Sequence, residues 1–163
     1  MKKVLNNSAY IDGANLHTCA NSLEWKLDYG KLRIWLKEKY AVQCVYLFLG
    51  FIPHYQNLYD SLKILGYELI FKEVIYDHHG KVKGNCDTDI VVHIMKDVYE
   101  DRTEKVILVS SDGDYASVVS FLLEKDRLEA ILSPALPSRC SVLLKRTHAK
   151  IVYLDDQKSI LRV

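Results

Sequence analysis

The apolar residues of this chain fall in unbroken runs. Residues 45–49 read Val-Tyr-Leu-Phe-Leu and residues 106–109 read Val-Ile-Leu-Val, with no polar residue between. A strand with one wet face alternates apolar and polar residues. A continuous run belongs to a strand covered on both faces. Between these runs lie stretches with helical spacing, such as Leu32, Trp35 and Leu36, or Leu58, Leu62 and Leu65. Strands alternating with helices of this length predict βαβ units and a parallel sheet with helices on both sides.

The pattern predicts strands over 8–12, 43–50, 68–76, 105–111 and 128–132, with a last short one over 151–154. It predicts helices over 28–40, 55–65, 87–99, 114–125 and 138–148. Asp28 is placed to cap the first helix, and Gly66 to end the second. Asp77-His78-His79-Gly80 reads as a turn. With 163 residues and no linker or repeat, the reading is one α/β domain over 1–155. The tail, 156–163, ends in Ile160-Leu161-Arg162-Val163. It is expected either to be loosely held or to dock on a partner.

Formal net charge is +1, so no global field marks a nucleic-acid partner. Cys19, Cys44, Cys86 and Cys140 form no C-x-x-C pair, which sets aside zinc-ribbon and thioredoxin readings. All four are expected as reduced thiols, Cys44 as a buried one. Met1-Lys2-Lys3 is not followed by an apolar stretch fit for a signal peptide, and no segment suits a membrane span. A cytoplasmic protein is expected.

The acids carry the chemistry. Asp12 follows Ala9-Tyr10-Ile11. Asp112 and Asp114 follow the run ending in Val109-Ser110-Ser111. Asp87 opens the third helix. In an open parallel sheet, strand ends and the loops after them gather at one edge, where ligands bind. Carboxylates gathered there repel one another unless a cation joins them. Oxygen ligands suit Mg²⁺ or Mn²⁺, and the lack of a His or Cys cluster argues against zinc. Such a site can activate water and relieve charge on a phosphodiester. Taken singly, each acid has a plainer reading. Asp12 can belong to a tight turn, Asp87 and Asp114 can be helix caps, and Asp89 suits the helix dipole and is expected to face away. Val91, Ile94, Met95 and Val98 are expected to form the buried stripe of the third helix, with Asp87 one turn ahead of it.

Three segments resemble the NYN domain family, which includes LabA-like proteins and belongs to the PIN-like nuclease superfamily. They are Tyr10-Ile11-Asp12-Gly13-Ala14-Asn15-Leu16, Lys83-Gly84-Asn85-Cys86-Asp87 leading into a helix, and the stretch 106–115 ending in Ser110-Ser111-Asp112-Gly113-Asp114-Tyr115. The resemblance spans residue 9 to about residue 153. It implies a three-layer α/β/α, Rossmann-like domain with a parallel sheet of about five strands in the order 3-2-1-4-5. It implies a Mg²⁺- or Mn²⁺-dependent endoribonuclease in which Asp12, Asp87, Asp112 and Asp114 hold the metal. Asn15, Lys83 and Ser110 are implied to support the site or hold the phosphate. Many members carry Gly at the position of Ser111, whose hydroxymethyl group is expected to narrow access to the metal.

RNA is the expected partner. Lys81, Lys83, His78 and His79 precede Asp87, and Lys145, Arg146, His148 and Lys150 form a second basic cluster. Trp25, Tyr29, Tyr55 and Tyr59 are candidates to stack on bases, though packing is the plainer role for each. His17 follows the first acidic motif and reads more simply as a surface residue. The alternative to a nuclease is a weak or inactive regulatory module that binds RNA or protein. A homodimer or protein contact would use surface helices or the tail. A phosphatase with an aspartyl nucleophile is disfavoured, because residue 14 is Ala and breaks the D-x-D spacing.

Overall fold

A computed structural model describes residues 6–83 and 86–163, with Val82 and Lys83 described by their backbone alone. The main sheet comprises β1 (Asn7–Asp12), β2 (Val42–Gly50), β3 (Glu68–Lys72), β6 (Val106–Val109), β7 (Leu128–Ser133) and β8 (Ile151–Tyr153). All its pairings are parallel, in the order β3-β2-β1-β6-β7-β8. The expected order holds, and the short last strand extends the sheet to six strands rather than five. Strands β4 (Ile75–Tyr76) and β5 (Val82–Lys83) form a separate antiparallel hairpin. It replaces the end of the single strand expected over 68–76. The turn at 77–80 closes it, with Asp77 Oδ1 accepting from the amides of His79 and Lys81.

Helices α1 (Gly13–Ala20), α2 (Tyr29–Tyr40), α3 (Gln56–Ile64), α4 (Asp87–Tyr99), α5 (Ala116–Glu124), α6 (Val142–Lys145) and α7 (Lys158–Leu161) complete the chain. Asp28 caps α2, accepting from the Lys31 amide. Gly66 follows α3 in the left-handed region at φ 94°. The expected last helix contracts to α6, because residues 134–141 lead to Ser141, whose side chain caps it.

Alternate strand residues face opposite layers. Ala9, Ile11, Val45, Leu47, Ile107 and Val109 pack with Leu16, Leu32, Leu36 and Leu161 on one side. Tyr10, Phe48, Leu108 and Ile131 pack with Ile90, Ile94, Val119, Leu122 and Leu144 on the other. This two-sided burial is why the strands read as unbroken apolar runs. The last residues also join the first layer: Leu161 is fully buried, the Leu161 carbonyl accepts from the Asp28 amide, and Trp25 Nε1 donates to Asp155.

The α4 stripe is set one position away from the expected one. Ile90, Ile94 and Asp97 are its buried residues, while Val91, Met95 and Val98 are half-buried. A buried carboxylate is tolerable because it is paired. Tyr10 donates to Asp97 at 2.7 Å, His93 Nε2 lies at 3.3 Å, and Arg102 lies at 4.0 Å.

Candidate metal centre

The chain leaves β1 for β2 on one side and later enters β6 on the other, which places the switch in strand order at the ends of β1 and β6. Register pairs Ile11 with Val109. Asp12 is therefore level with Ser110, and Asp112 lies two residues further along. The chain passes directly from β1 into α1, with no intervening turn. Asp12 caps that helix, accepting from the Asn15 amide at 3.1 Å. Only glycine fits at position 13, since a Cβ there would meet the Phe48 carbonyl oxygen at 2.5 Å.

Asp12, Asp87 and Asp112 come together. One carboxylate oxygen from each lies within 4.8 Å of the others. Asp12 is 5% exposed, and the other two are half-buried. Asp112 caps a 3-10 turn, Gly113–Tyr115, by accepting from the Asp114 amide. Asp114 itself is exposed and stands outside the triad, though it hydrogen-bonds with Asp87. Asp89 faces away, as expected, and pairs with Lys72 at 3.3 Å.

Tyr115 links the acids, and no sequence signal assigned it a role. It is fully buried, and its hydroxyl lies 3.0 Å from Asp12 Oδ2 and 2.9 Å from Asp87 Oδ1. A phenol carries one hydrogen, so it can donate to one carboxylate at a time. Burial raises the pKa of Asp12, and the charge of Asp112 adds to it, against hydrogen bonds from Asn15 and Tyr115. Burial pushes Asp87 up to about 6. The Tyr115 hydrogen bond opposes this, while the charges of Asp12 and Asp112 and the contact with Asp114 add to it. Asp12 and Asp87 thus hold on to protons, as expected of carboxylates that are buried and crowded without a counter-charge.

The other expected site residues act one step back. Asn15 Oδ1 accepts from the Ser111 amide at 2.9 Å and from the Ser111 hydroxyl at 3.1 Å, tying α1 to the end of β6. Ser110 is fully buried and accepts from the Asp112 amide at 3.1 Å. The Ser111 hydroxyl is thus engaged by Asn15, with Cys19 Sγ at 3.6 Å, on the α1 side. This hydroxymethyl, expected to narrow access to the metal, tethers the end of β6 to α1. The Lys83 side chain, Gly84 and Asn85 lie outside the described residues.

Most aromatic candidates pack. Tyr59 is buried, Tyr29 packs edge-on to Tyr67, and Trp25 is held by Asp155. Tyr55 is exposed. His17 is exposed beside Asn21. The four cysteines are free, and Cys140, rather than Cys44, is the buried one.

The donor set fits a hard divalent cation. Three carboxylates offer oxygen alone and converge from three separate segments, and Asp12 and Asp87 carry a raised proton affinity that a cation would relieve.

The model of the NYN domain matches residues 8–154. The chain belongs to the NYN domain family, whose fold is that of the PIN-like nucleases. A solved structure of a protein of unknown function from Vibrio parahaemolyticus RIMD 2210633 shares the fold, with a TM-score of 0.74 and 20% sequence identity over 100% of this chain and 99% of that one. No curated protein matches the chain. Among the described residues, no helix is long and apolar enough to cross a membrane.

Proposed function

We propose that this protein is a Mg²⁺- or Mn²⁺-dependent endoribonuclease that hydrolyses RNA phosphodiester bonds in the cytoplasm. The observation that carries the proposal is the convergence of Asp12, Asp87 and Asp112 at the switch point of the sheet. These three would hold the cation, and Asp114 would join them or contact solvent ligands. A bound cation there supplies charge neutralisation at the phosphate and activation of water.

The remaining groups set geometry. Asp12 is fixed by its role as cap of α1. Tyr115 holds Asp12 and Asp87 at a common hydroxyl. Asn15 and Ser110 shape the backbone on which Asp112 sits. The carboxylates would also be the groups able to take a proton from an attacking water. Lys83 would orient or neutralise the phosphate.

The test is cleavage of a panel of RNAs and single-stranded DNA with Mn²⁺, Mg²⁺ or EDTA, beside Asp112→Asn. Metal-dependent cutting of RNA is expected, with a loss of about 10³-fold in the variant. Equal cutting by the variant would remove Asp112 from the site. No cutting by the folded parent under any condition would favour a regulatory module of the same fold.

A further inference from the structure

A second concavity adjoins the acids. A cleft of about 560 Å³ lies between helix α4 and the face of β2 and β3 that looks toward it. Phe48 and Ile70 line it from the sheet, Val92 and His93 from the helix, and Lys72 and Lys96 supply cationic groups. Cys86 also lines it and directly precedes Asp87, so the cleft begins beside the metal centre. From Asp87 to Lys96 the helix advances about 13 Å, at 1.5 Å per residue.

His93 is held firmly in this wall. Its Nε2 lies 3.3 Å from the buried carboxylate of Asp97, which Tyr10 grips at 2.7 Å. Its ring sits 4.5 Å from that of Tyr46 and edge-on to Phe48 at 5.5 Å. About a quarter of the side chain, 27%, remains exposed. Val92 is exposed next to it.

The charges in the cleft are uneven. Lys72 is paired with Asp89 at 3.3 Å, and Glu73 also lines the cleft, so these three groups leave one net negative charge. Lys96 makes no ion pair among the described residues. The cleft therefore offers an apolar middle, a mouth beside the acids with one net negative charge, and a cation at a distance from them. A protein side chain would need only the apolar part. A planar base whose strand continues as a phosphate matches both parts, and the volume is in the range of small-ligand clefts.

We propose that this cleft is a nucleobase subsite for single-stranded RNA. The base of a nucleotide next to the scissile phosphate lies against Ile70, Val92 and His93, and Lys96 meets a phosphate of the same strand. The proposal rests on the nuclease reading above and adds where the strand leaves the metal centre.

The test uses Val92→Trp, which fills the cleft, and Lys96→Glu, which reverses its charge. Both residues lie outside the acid cluster. Binding of a fluorescent single-stranded hexaribonucleotide is measured in the Asp112→Asn background. Cutting, Mn²⁺ affinity and thermal melting are measured with Asp112 intact. Each variant is expected to weaken RNA binding about tenfold, with a shallower salt dependence for Lys96→Glu. Mn²⁺ affinity and melting temperature are expected to stay at parental values. If the parent cuts RNA and both variants bind and cut as it does, the subsite is overturned and the nuclease reading stands. If both variants lose Mn²⁺ binding together with RNA binding, the effect lies in the fold and the subsite is again overturned. A parent that neither binds nor cuts RNA overturns both.

Discussion

Tyr115 shows how one side chain can set the chemistry of its neighbours. Its hydroxyl lowers the proton affinity of both Asp12 and Asp87, against the burial and mutual repulsion that raise it. Tyr115→Phe keeps the ring and removes the hydrogen. The Asp87 carboxyl, now near 6, is then expected to titrate higher, and Mn²⁺ binding should require a correspondingly higher pH. Hydrogen bonds to charged groups contribute about 1.5–3 kcal/mol, so the shift should be readable by calorimetric Mn²⁺ titration between pH 5 and 8. An unchanged pH profile would show that the hydroxyl does not govern the acids. The acids themselves were legible in the sequence, because each ends an apolar run or opens a helix. Tyr115 was not. Its contact with Asp12 spans 103 positions, and a buried tyrosine near a helix start looks like any other packing residue until the strands are ordered.

At the scale of elements, most strands and helices follow from apolar period and caps, and the exceptions have local causes. α1 was hidden because Asp12-Gly13-Ala14-Asn15 carries turn residues. Gly13 is there for the close approach of the chain to Phe48 and Leu49, and Asp12 serves as a helix cap. The strand expected over 68–76 breaks after Lys72, and Ile75–Tyr76 pairs with Val82–Lys83 instead. The buried Asp97 displaced the apparent stripe of α4, because a polar residue satisfied by Tyr10 and His93 looks like a solvent position in a one-dimensional pattern. α2 ends on a suboptimal residue. Ala41 follows it at φ 53°, in the left-handed region that costs an L-residue about 1–2 kcal/mol. Ala41→Gly relieves that cost and loses some of the gain to chain entropy. A net stabilisation of about 1 kcal/mol is expected, or roughly 3 °C in melting temperature for a domain of this size. A lower melting temperature would mean that the Ala41 methyl packs better than its partial exposure indicates.

For the whole molecule, the acid cluster is expected to couple stability to pH and, on the proposed reading, to metal in opposite directions. An unfolded Asp87 releases its proton near the ordinary carboxylate value of about 4, whereas the folded one keeps it to about 6. Between these values the folded state binds more protons than the unfolded state. Stability without metal must therefore fall as pH rises through this window. Asp12, also raised, acts with the same sign. Asp126, lowered by its bond to Lys105, contributes a constant amount above the ordinary carboxylate value and loses it only as pH falls below that value, so it leaves the slope in this window unaffected. The metal-free protein is thus expected to melt at a higher temperature at pH 5 than at pH 7.5. A cation competes with the proton for the same oxygens. At pH 7.5 and about 100 times its dissociation constant, Mn²⁺ should add about 2.7 kcal/mol, or roughly 5–10 °C. At pH 5 the gain should shrink, because Asp87 must first give up its proton. Melting curves at both pH values, with Mn²⁺ and with EDTA, read all four states. Asp87→Asn carries no titratable group at that position, so it should flatten the metal-free slope and lose most of the Mn²⁺ gain. If the variant keeps the parental pH slope, the proton is held elsewhere, and Asp87 is not the group through which the fold senses its metal.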